Sequence, residues 1–135
     1  MKFATFPSFR QNGSIIQLAD FLSKIPENGW VWTVLDFYGI GNAPNDLSME
    51  EFEVLVRSKS KGFIMKWSEL RTFSNSLIQT FDCLIVAAES VQDISTNKLA
   101  KENFSNCEIV IEAFDRTEWL VWARDPNVMA SMLTI

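Results

Sequence analysis

The sequence contains no histidine. That absence removes the side chain whose ordinary pKa lies nearest neutrality, the usual catalytic triads and dyads, and the commonest zinc ligand. Cysteine is scarce as well. Cys83 and Cys107 alone cannot close a four-ligand zinc site. Both fall in apolar, strand-like runs, which suits buried thiols and leaves a single disulfide as the alternative. Glycine and proline number only five and four. They form no flexible linker, and the chain has no internal repeat or low-complexity segment. Gly39-Ile40-Gly41 hints at a dinucleotide turn, but Pro44 stands where the third glycine belongs, and no Walker sequence occurs. The sequence therefore points to no cofactor and no metal.

Positive charge is the next shortage. Twelve Lys and Arg face seventeen Asp and Glu, for a net charge of −5 and a pI near 4.7. Nonspecific nucleic-acid binding draws its affinity from basic groups neutralising phosphates, so direct DNA or RNA binding is not expected. The one basic cluster, Arg57 to Gly62, reads as a solvated loop. A mildly acidic chain suits a basic partner, although such a charge is common among soluble proteins. No apolar run reaches the roughly 18 residues of a membrane span. The opening MKFATFPSFRQNG lacks the apolar core and cleavage site of an export signal, so a cytoplasmic location is expected.

Large apolar side chains are plentiful. The hydrophobic fraction is 47%, with eleven Phe and five Trp against one Tyr. A chain of 135 residues with that content suits one domain, residues 1–135, with an aromatic-rich core. Lys2 to Arg10 reads as an edge strand or an extended arm, since Pro7 removes a ladder donor. Ser14 to Lys24 has helical spacing at Ile15, Leu18, Phe21, Leu22 and Ile25. Trp30 to Tyr38 is a strand with Trp30, Trp32, Val34, Asp36 and Tyr38 on one face, followed by a loop from Gly39 to Asp46. Ser48 and Glu51 form a capping box for a helix from Met49 to about Arg57. A second helix runs from about Lys66 to Leu77. Phe81 to Glu89 reads as a buried strand. A polar loop follows, with a helical turn near Lys98 to Glu102. The segment from Cys107 to Asp125 is a hairpin, and Asp125-Pro126 opens a closing helix. The order (β)αβααββα predicts an α+β fold. Its sheet is mostly antiparallel, of about four strands, with helices packed mainly on one face.

Carboxylates punctuate the hairpin. Glu108 and Glu112 lie four residues apart on one strand, roughly 13 Å between Cα atoms, farther than glycosidase pairs sit. A two-residue turn at Arg116-Thr117 would pair Phe114 with Trp119, Glu112 with Val121 and Ile111 with Trp122; it sets Asp115 against Glu118, and a longer Asp115 to Glu118 loop relieves that repulsion while keeping the same two faces. That register puts Cys107, Ile109, Ile111, Ala113, Leu120 and Trp122 toward the helices. Glu108, Val110, Glu112, Phe114, Trp119, Val121 and Ala123 take the other face. Aromatic anchors mixed with carboxylates are the composition of a protein-docking surface. An open sheet side with ordinary exposed hydrophobes has the same look.

The stretches WVWTVLDFYGIGNAPNDLS, GFIMKWSELRTFSNSLIQTFDCLIVAAE and CEIVIEAFDRTEWLVWARD cover much of the chain. In style and order of segments they resemble the small immunity proteins of bacterial polymorphic-toxin and contact-dependent growth inhibition systems. That resemblance implies a single cytosolic domain without enzymatic residues. It would bind a cognate toxin domain and neutralise it, by covering its active site or by holding it in an inactive form; if the toxin were a nuclease, its basic phosphate-binding cleft would be a fitting target for carboxylates. The partner-binding candidates are Asp36, Tyr38, Asp46, Glu108, Glu112, Asp115, Glu118 and Trp119. The alternatives are a small ligand-binding or carboxylate-dependent enzyme domain and a homo-oligomeric adaptor.

Overall fold

The computed structural model describes residues 3–135, so Met1 and Lys2, the start of the expected N-terminal arm, lie outside it. The strands are β1 (Ala4–Pro7), β2 (Val31–Gly41), β3 (Phe63–Met65), β4 (Leu77–Ala88), β5 (Ile109–Phe114) and β6 (Glu118–Ala123). The α-helices are α1 (Leu18–Leu22), α2 (Met49–Ser58), α3 (Trp67–Asn75), α4 (Thr96–Ala100) and α5 (Pro126–Met132). The strands form one sheet in the order β1-β6-β5-β4-β2-β3, and every neighbouring pair is antiparallel. The fold is thus α+β with a six-stranded antiparallel sheet. This corrects the expected sheet of about four strands in the order (β)αβααββα. Among the described residues no helix is long and apolar enough to cross a membrane.

Each departure has a local cause. β1 pairs only with β6, so Pro7 sits at an edge where a missing donor costs little. β3 is three residues long, too short to show a period. It follows Gly62, whose φ of +72° is left-handed and whose Cβ, if present, would lie 2.4 Å from the Val34 carbonyl oxygen. Gly39 and Gly41 belong to β2 and not to a loop, pairing with Thr80 and Leu77 of β4. A Cβ at either would come within 2.6 Å of a carbonyl oxygen, of Gln79 or of Ser76. Close backbone approach explains this Gly-x-Gly, with no phosphate required. α1 starts at Leu18 and not at Ser14, because Ile15 bridges Phe9 and the Gln17 amide donates to Asp20 Oδ2 at 2.7 Å. At α2 the Glu51 amide donates to Ser48 Oγ and the Ser48 amide to Glu51 Oε1, both at 3.1 Å, closing the expected capping box.

The principal core lies between the sheet and α1, α2, α3 and α5. It joins Phe21, Phe52, Leu70 and Val128 to Trp32, Phe37, Ile85, Ile109 and Ile111. Aromatic rings interlock there: Phe37, Phe52 and Phe73 meet pairwise at 5.0 to 5.8 Å. α4 packs on the opposite face. Leu99 and Phe104 there cover Val86 and Val110, with Phe3, Leu35 and Trp122 around them. Cys83 belongs to the large core and Cys107 to the smaller cluster across the sheet, and both thiols are free and buried.

The hairpin register also differs from expectation. Its loop has three residues, Asp115 to Thr117, and the pairs are Phe114 with Glu118, Ala113 with Trp119 and Ile111 with Val121. A slip of one residue turns every side chain of β6 to the other face. Trp119, Val121 and Ala123 therefore enter the principal core, while Trp122 joins the cluster under α4. Asp115 and Arg116 take left-handed φ values of 50° and 62° without glycine. Contacts from β4 hold them there. The Asp115 amide donates to Asp82 Oδ1 at 2.8 Å and the Arg116 amide to the Phe81 carbonyl at 2.9 Å. The Arg116 guanidinium lies over the Phe81 ring, 4.0 Å from its centroid.

Candidate functional site

The sheet face opposite the principal core is only partly covered. α4 and Phe104 shield the end that carries Val86, Val110 and Trp122. The other end is open. A register shift in β2 between Val34 and Asp36 gives it its composition. Trp32 and Val34 face the core before the bulge and Phe37 does so after it, so Leu35, Asp36 and Tyr38 turn outward. Simple alternation places Trp32, Val34, Asp36 and Tyr38 together; the bulge divides them.

Register then builds the site in rows. Asp36, Leu84, Glu112, Leu120 and Thr5 lie side by side across five strands. Beside that row come Tyr38 next to Asp82, and Phe114 next to Glu118 and Pro7. Tyr38 and Phe114 are exposed, and Tyr38 packs against Phe81 with ring centroids 5.0 Å apart. Asp36 pairs with Arg57 at 3.3 Å, and the same guanidinium reaches the Phe37 carbonyl at 3.2 Å. Asp115 is exposed at the adjoining loop. Asp36, Tyr38, Glu112, Asp115 and Glu118 thus meet at the open end of one face.

The remaining candidates lie elsewhere. Trp119 is buried in the core, where its indole N–H donates to the Ile16 carbonyl at 3.2 Å and its ring lies 5.1 Å from Phe21. It presents nothing to a partner. Glu108 sits at the far end of the hairpin, paired with Arg124 at 3.4 Å. Arg124 also donates to the Cys107 carbonyl at 2.9 Å and to the Ser105 carbonyl. Asp46 is exposed on the loop after β2, with a φ of 58°, lining a separate recess with Asn42 and Ser48.

A groove of about 450 Å³ opens between the α4 segment and the sheet. Phe3, Leu84, Leu99, Phe104 and Leu120 form its apolar walls, and Phe114 stands at one side. Glu112 and Glu102 supply its carboxylates. Burial pushes the Glu112 carboxyl above the usual carboxylate range, and the charges of Glu102 and Asp36 push it the same way. Among the described residues Glu112 has no ion-pair partner. The pattern of the hairpin located Glu112 and Phe114. It could not locate Glu102, which lies in a polar stretch and reaches the groove through the tertiary path of the α4 segment. A wider recess of about 600 Å³ lies beside Trp30, Lys66 and Trp67 on the helix side. Asn28 at its edge is already engaged, accepting from the Trp32 indole at 2.9 Å. Among the described residues no group of His, Cys, Asp or Glu is arranged to hold a metal ion.

No protein-family model, curated protein or solved structure matches the chain.

Proposed function

We propose that this chain is a non-enzymatic protein-binding module that captures a basic protein on the open end of its outer sheet face. The similarity of its segments to small immunity proteins gives the reading a specific form: the partner is a cognate toxin domain, and capture neutralises it in the cytoplasm. The supporting observation is that exposed Tyr38 and Phe114 share the open end of one sheet face with Asp36 and Glu118, beside the half-buried Glu112. Aromatic side chains supply anchoring area there, and carboxylates steer a cationic partner and fix its orientation. Carboxylates on such a face can occupy a phosphate-binding cleft as surrogates for nucleic acid.

The test is co-expression with the toxin gene product expected just upstream, reading cell survival and co-purification. Wild-type protein is expected to rescue growth and to bind. A Tyr38→Ala/Phe114→Ala/Glu112→Lys variant that remains folded is expected to lose both. Full rescue by that variant rejects the face. Absence of rescue and of any bound partner for the wild type rejects the function.

A further inference from the structure

We infer that the groove between the α4 segment and the sheet receives a long cationic side chain, lysine or arginine, projecting from the partner protein. This rests on the docking function and assigns one position within it.

The groove offers what such a side chain needs along its length. Lysine and arginine combine an aliphatic stem with a charged head, and both parts want contact. Leu84, Leu99, Leu120 and Phe104 supply apolar wall for the stem. Glu112 and Glu102 supply the opposing charge. Phe114, exposed at the side, adds a ring face that a guanidinium can cover. The volume of about 450 Å³ lies within the range of small-ligand sites, so a side chain fits without rearranging the sheet.

The charge balance selects the occupant. Asp36 has Arg57 and Glu108 has Arg124, yet Glu112 has no cation among the described residues. It instead feels the like charges of Glu102 and Asp36. An acidic or neutral side chain would leave that repulsion in place or add to it. A cation relieves it, and does so in a partly dehydrated setting where the attraction is less screened. Glu112 lies in the same row as Asp36 and one row from Tyr38, so the groove is continuous with the docking face.

The experiment uses the full chain, isotope-labelled and followed by NMR, titrated with blocked single amino acids. The probes are N-acetyl-lysine methylamide, N-acetyl-arginine methylamide, the uncharged norleucine analogue and the glutamate analogue. The cationic probes are expected to shift amides around Leu84, Glu112, Leu120 and Leu99, with weak, saturable binding. Glu112→Gln should weaken that binding about tenfold, while Glu50→Gln, exposed on α2 away from the groove, should leave it within about twofold. Equal response to norleucine, or binding indifferent to Glu112→Gln, overturns the assignment. The titration requires no partner protein, so its failure and a failure of the rescue experiment are separate results. If both succeed, charge reversal of the matching basic residue on the toxin should abolish capture by the wild type and restore it with Glu112→Lys. Undiminished capture of that reversed toxin by the wild type also overturns the assignment.

Discussion

Truncating Trp119 to alanine removes an indole that packs on Phe21 and donates to the Ile16 carbonyl in the core. Loss of a buried aromatic of this size costs about 3–5 kcal/mol, so Trp119→Ala should shift a urea unfolding midpoint strongly. Phe114→Ala removes an exposed ring and should change stability by under about 1 kcal/mol while weakening partner capture. Similar urea midpoints for the two variants would refute the core position of Trp119. Glu112 yields a prediction with a definite sign. Its folded pKa is raised, so its contribution to stability is full below the unfolded pKa and lost as pH rises through the folded one. Glu112→Gln should therefore be more stable than wild type at neutral pH, with the difference shrinking in mild acid. A Gln variant less stable at neutral pH would show that Glu112 has a favourable partner. A carboxylate that costs stability in the free protein belongs where binding repays it, which supports the groove assignment.

At the scale of elements, the connection into β3 turns on Gly62. Gly62→Ala forces a left-handed φ on alanine and places its Cβ against the Val34 carbonyl and the Thr33 hydroxyl. The strain alone costs about 1–3 kcal/mol, and the clash adds to it, so chemical denaturation should show a loss at least that large. A neutral substitution would mean that the α2–β3 connection can move away from β2. The helix of Ser48 and Glu51 was legible in the sequence because its signals are local: a capping box and apolar residues at helical spacing. The hairpin was legible as a hairpin but not in register. Its loop conformation is held by Asp82 and Phe81, which lie more than thirty residues earlier in the chain. Local turn chemistry carried no trace of that tether, and one residue of register exchanged Trp119 for Trp122 as the core tryptophan. The two faces of β2 were misassigned for a related reason, since a bulge is fixed by the partner strand and not by alternation.

At the scale of the whole molecule, the sheet separates two cores, and the cysteines fall on either side of it. Burial pushes the Cys83 thiol strongly up and the Cys107 thiol up to about 11. Both should resist a thiol-reactive dye in the native state and react fully once the chain is unfolded. Rapid native labelling, or a disulfide between them found by mass spectrometry, would contradict this arrangement. The sheet also joins distant parts of the chain: β1 from the start of the described residues pairs with β6 near the end, enclosing every other strand between them in sequence. The open half of the outer face results from this order. β5 and β6 bring Glu112, Phe114 and Glu118 beside Asp36 and Tyr38, while the short α4 covers only the other half.

The aromatic-rich interior, the main helices and strands, and the acidic, histidine-free chemistry are legible in the chain alone. Those follow from composition and from periods read over a few turns. The strand count, the register of β6, the placement of Trp119 and the groove at Glu112 arise only when distant segments pack together. β1 and β3 are too short to show a period and become strands only when their backbones pair with β6 and β2. The face on which a side chain lies depends on bulges and loop tethers set by neighbouring strands, and so does the set of residues that the open end of the sheet presents.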